Sequence, residues 1–65
     1  MIPTKIKDCN VDGLFYLKNL KNPDGIHAWK KTKYMVERKV LCCRYKNCAQ
    51  KLMDPEDTVY TINGH

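Results

Sequence analysis

Three of the four cysteines in this 65-residue chain fall in one basic stretch, KVLCCRYKNCAQKL, as Cys42, Cys43 and Cys48. A chain this short buries only about 60% of the surface its unfolded form exposes, so burial alone leaves it marginal. Domains of this size usually add a metal, disulfides or a partner, and four cysteines make the first two concrete. The N-terminal sequence MIPTKIKDCNVDG lacks the apolar block of an export signal, and no apolar run approaches the roughly 20 residues needed to span a bilayer. A nuclear or otherwise intracellular protein with reduced thiols or bound metal is therefore expected, with no membrane partner. The alternative is a secreted peptide in which the vicinal Cys42 and Cys43 pair with Cys9 and Cys48.

Turn formers divide the chain at Asp12-Gly13, Asn22 to Gly25, Met53 to Asp57 and Asn63-Gly64. Between them lie short aromatic and β-branched segments: Leu14 to Leu17, Tyr34 to Val36, Lys39 to Tyr45 and Thr58 to Ile62. In the last, Val59 and Thr61 alternate with Tyr60 and Ile62, as on a half-buried strand. A single domain over residues 1–65 is expected, all-β or β-rich α+β, with a twisted antiparallel sheet of about four short strands. The Leu14 to Lys21 segment has enough helix formers for a helix, and CAQKLM would also suit one helical turn. In NPDGIHAW, Pro23 and a Gly25 free to take positive φ predict a tight turn. Trp29 then follows as a core anchor, with its neighbouring lysines pointing outward.

Net charge is +5, and its placement is informative. Lys30, Lys31, Lys33, Arg38, Lys39, Arg44, Lys46 and Lys51 crowd one segment against Glu37 alone. Such a segment attracts polyanions, because each phosphate contact releases condensed counterions; otherwise it is a solvated lysine-rich face. No glycine-rich phosphate loop can be assembled from three glycines, and so small a domain encloses little volume around a Cys–His pair. Neither enzymatic activity nor a small-molecule substrate is expected.

Cys43 and Cys48, separated by RYKN, would supply two corners of a zinc tetrahedron at little loop-closure cost. His65, after the last predicted strand, is the expected third ligand. The fourth is left open among Cys9, His27, Cys42 and a residue beyond His65. Adjacent strand residues point to opposite faces, so Cys42 is expected to be buried and structural where Cys43 binds metal. Cys9 reads by its polar context as an exposed free thiol, and His27 as a solvent-facing or hydrogen-bonded side chain.

CRYKNCAQKL followed by TVYTINGH resembles the zinc-binding half of the WRKY and FLYWCH zinc-finger families, and DGIHAWKK is similar to the opening of the WRKY signature. The matching positions are Cys43, Tyr45, Cys48, Lys51 and His65, and the resemblance covers residues 24–65. It implies a zinc-stapled antiparallel sheet that binds nucleic acid, most readily duplex DNA, with Lys30, Lys31, Lys33, Arg38 and Lys39 on phosphates. Zn2+ would then supply a large part of the folding free energy, on the order of 10 kcal/mol in finger peptides. FLYWCH-like fingers also contact proteins. The alternative role is thus a zinc-stabilised interaction module docking through Leu14 to Leu17, Tyr34, Tyr45 and Tyr60.

Overall fold

In a computed structural model that describes residues 1–62, the chain forms one antiparallel sheet of six strands. These are β1 (Ile2–Lys5), β2 (Leu14–Tyr16), β3 (Ala28–Val36), β4 (Lys39–Arg44), β5 (Gln50–Met53) and β6 (Thr58–Thr61), in the spatial order β1-β6-β2-β3-β4-β5. Single 3-10 turns cover Ile6–Asp8 and Gly25–His27. The all-β expectation holds, but the strand count rises from four to six. β1 carries Pro3 and has little apolar patterning, and β5 has exposed Gln50, Lys51 and Leu52 around a single buried Met53. Both are edge strands, held by pairing with β6 and β4 rather than by their own composition. The helices considered for Leu14 to Lys21 and for CAQKLM do not form. β2 and β5 occupy those places.

Strand periodicity sorts the side chains. One face carries the core of Ile6, Cys9, Phe15, Val40, Cys42, Met53 and Val59, against which Leu17 and Trp29 pack. In β6, Val59 and Thr61 are buried and Tyr60 is half-buried, and Ile62 just beyond the strand is exposed, as the alternation predicts. The turn after Met53 closes on the N-terminus: the Ile6 and Lys7 N–H groups donate to the Asp57 and Pro55 carbonyls, both at 3.0 Å.

β3 is longer than its partners. β2 pairs with it only over Ala28–Lys30, and the backbone exchange ends at Lys31. Further along, Thr32, Lys33 and Tyr34 all stand opposite Leu41, because the pairing passes directly from Lys31↔Cys42 to Met35↔Val40. Thr32 fixes this bulge, donating its hydroxyl to the Leu41 carbonyl at 2.7 Å and accepting from the Tyr34 N–H at 3.2 Å. The hairpin then turns through Glu37 and Arg38, with φ of 50° and 68°. Positive φ at both central residues marks a type I′ turn, normally made by Asn-Gly.

In the Asn22 to Gly25 turn it is Asp24, not the glycine, that organises the chain. Its carboxylate accepts from the Ile26 and His27 N–H groups. Gly25 does not use the positive φ expected of it, and a Cβ there would meet the Tyr45 ring at an ordinary 3.5 Å. Gly13 is different: a Cβ would lie 2.9 Å from the Asn10 carbonyl oxygen, so only glycine fits. No helix among the described residues is long and apolar enough to cross a membrane.

Candidate nucleic-acid interface

The candidate phosphate-binding cations take four different positions. Lys30 and Lys39 project from the sheet face opposite the core, because Lys30 pairs with Cys43 and Lys39 lies an even number of residues from Cys43 on β4. Lys31 shares the core face with Cys42, and its ammonium donates to the Ile6 carbonyl at 2.9 Å and the Cys9 carbonyl at 2.7 Å. It ties the 3-10 turn to the sheet. Lys33 sits in the bulge, 5.5 Å from the centre of the Tyr34 ring, and Arg38 occupies the hairpin tip.

Ion pairing divides the molecule. Glu56 takes both Lys5 and Lys7, at 2.8 and 2.9 Å, Asp24 takes His27 at 2.9 Å, and Asp12 reaches Lys30 at 3.7 Å. Lys33, Arg38, Lys39, Arg44, Lys46 and Lys51 have no carboxylate partner among the described residues. Hydrogen bonds from Lys5 and then Lys7 hold the Glu56 carboxyl down at about 2, and the Lys7 ammonium is raised in return. The His27 side-chain hydrogen bond likewise lowers Asp24. Glu56 therefore offsets Lys5 and Lys7, while the β3–β5 half keeps six cations without a carboxylate partner among the described residues.

All four cysteines are free thiols. Cys42 is wholly buried, and burial, with Cys43 and Cys9 nearby, pushes its thiol up to about 11. Cys9 is buried too, against the exposure its polar context suggests. The turn from Ile6 folds it under the sheet, its Sγ lies 3.5 Å from the Lys5 carbonyl, and burial raises its thiol. Cys43 lies on the opposite face from Cys42, paired with Lys30 and Gln50, while Cys48 is exposed in the loop between β4 and β5. His27 is exposed and bound to Asp24. His65 lies outside the described residues. Among the described residues no three His, Cys, Asp or Glu side chains gather as a metal site.

Sequence reasoning did not anticipate the role of Arg44. Its guanidinium lies 5.7 Å from the centre of the Trp29 ring and donates through Nε and an Nη to the Ile26 carbonyl, at 3.0 and 2.9 Å. Trp29 packs on the core as expected, but it also lines a cavity of about 200 Å³ with Leu17, Lys18, Leu20, His27 and Arg44. The signal was the strand register, which places Arg44 directly opposite Trp29 and cannot be read from either segment alone. Of the residues considered for an aromatic docking face, Phe15 and Tyr16 are buried, Leu17, Tyr45 and Tyr60 are half-buried, and Leu14 and Tyr34 are exposed.

No family model matches this chain, and neither a curated protein nor a solved structure does.

Proposed function

We propose that this protein is a nucleic-acid-binding β domain that grips phosphates with the β3–β4 hairpin and the β4–β5 loop. The observation that carries the reading is a concentration of unpaired cations: six between Lys33 and Lys51 have no carboxylate partner among the described residues. Free cations on a thin sheet recruit a polyanion through counterion release. Lys33, Arg38 and Lys39 are the main contacts and Lys30 assists, whereas Lys31 is held by two carbonyls. Lysines outnumber arginines here, which favours backbone contacts over base reading, since Arg is the better bidentate partner of guanine.

Zinc is the second part of the proposal, with Cys43 and Cys48 as the local pair and His65 as the third ligand. Accessible thiols at Cys43 and Cys48 support it. Native mass spectrometry tests it: one zinc ion bound only under native conditions upholds the metal, and a loss of four hydrogens in place of it shows two disulfides.

The exposed Tyr34, Met35 and Val36 on the unpaired edge of β3 favour a second reading, a protein-docking module. Charge reversal at Lys33, Arg38 and Lys39 separates the two. Nucleic-acid binding should be abolished under the first reading, and partner binding left nearly intact under the second.

A further inference from the structure

The cavity beside Trp29 is lined by three apolar side chains, Leu17, Leu20 and Trp29, and by Lys18, His27 and Arg44, with no carboxylate. At about 200 Å³ it is smaller than the roughly 300–1,000 Å³ of pockets for drug-sized ligands, and it suits one planar ring system. Arg44 is held in place by the Ile26 carbonyl, and Trp29 by the core behind it, so the walls are set before any ligand arrives. Arg44 also lines a second hollow with Gly25, Ile26, Tyr45, Lys46 and Asn47, where the Lys46 ammonium lies 5.3 Å from the centre of the Tyr45 ring. Two aromatic rings thus flank one guanidinium at the same end of the sheet, each with further cations beside it. Aromatic platforms separated by cations fit a single strand, whose bases stack while its phosphates meet the charges. In a blunt duplex the bases are stacked on one another and do not reach such a cavity.

We infer that the Trp29–Arg44 cavity takes an unpaired base of a single-stranded nucleic acid, with Lys18 and Arg44 meeting its phosphates. This rests on the nucleic-acid reading and specifies the form of the polymer. Trp29 is the chain's one tryptophan, so fluorescence excited at the long-wavelength edge, where the four tyrosines do not absorb, reports on this cavity. The test titrates the full chain with a single-stranded oligonucleotide of about ten nucleotides and, separately, with a blunt duplex of the same sequence. The expected result is quenching of Trp29 by the single strand, binding about tenfold tighter than the duplex, and a loss of about tenfold for the single strand in Lys18→Glu. Lys18 is exposed, so that variant should keep its fold. Equal, salt-sensitive binding of both forms without quenching overturns the inference and leaves the broader reading standing. Absence of salt-sensitive binding to either form overturns both. An acidic peptide that quenches Trp29 as strongly as the oligonucleotide would make the cavity a protein site and also overturn it.

Discussion

Lys31 and Lys33 lie on the same strand, yet only one is tied down. Lys31 donates to two main-chain carbonyls in a partly buried setting, where hydrogen bonds to a charged group contribute about 1.5–3 kcal/mol. Lys31→Met is therefore expected to lower stability by about 1–3 kcal/mol in urea unfolding, and Lys33→Met by less than about 0.5 kcal/mol. Nucleic-acid affinity should respond in the opposite order. The cysteines separate in the same way: with Cys9 and Cys42 buried, a thiol reagent under native conditions should modify Cys43 and Cys48 first and the other pair only on unfolding. Fast reaction of all four would contradict the packing. Glu56 adds a pH dependence. Its carboxyl is held at about 2 against an ordinary 4.5, so its contribution is complete above about pH 4.5 and is lost as pH falls toward 2. In Glu56→Gln the fall in melting temperature across that range should be smaller than in the parent.

The β3–β4 hairpin carries both its cations and a strained turn. Glu37 and Arg38 hold positive φ without being glycine, at a cost of roughly 1 kcal/mol for each such residue. Asn-Gly at these positions should raise stability by about 1 kcal/mol in chemical denaturation, while removing one candidate phosphate contact. A gain in stability together with weaker binding is the expected pairing. A turn that keeps strain where the charge is needed agrees with a functional tip, and loss of stability in that variant would show that the native turn is unstrained. Aromatic and β-branched composition marked β2, β4 and β6, and alternation marked β6, because each has buried side chains of its own. Neither could mark β1 and β5, whose places are set by their neighbours' unpaired backbone groups. The bulge at Thr32 was equally hidden, since it depends on a hydroxyl meeting the Leu41 carbonyl across the ladder.

Across the sheet, charge and packing answer to different parts of the chain. The core draws on both ends, from Ile6 and Cys9 to Met53 and Val59, whereas most of the cations without a carboxylate partner among the described residues come from residues 33 to 51. The basic segment was visible as a local run of lysines. Its division into held and free charges was not, because Asp12 reaches Lys30, and the Ile6 and Cys9 carbonyls reach Lys31, only once the strands pair. The Trp29 cavity was hidden for the same reason, as it joins residues from three strand ends. The most direct test of the proposed function is the affinity for a nucleic acid as salt rises from 50 to 200 mM, measured for the parent chain and for the charge reversal at Lys33, Arg38 and Lys39. About four phosphate contacts predict a loss of roughly a hundredfold over that range, with a clearly shallower slope in the reversed variant. An affinity that ignores salt, or an equal slope in both chains, would contradict the proposal.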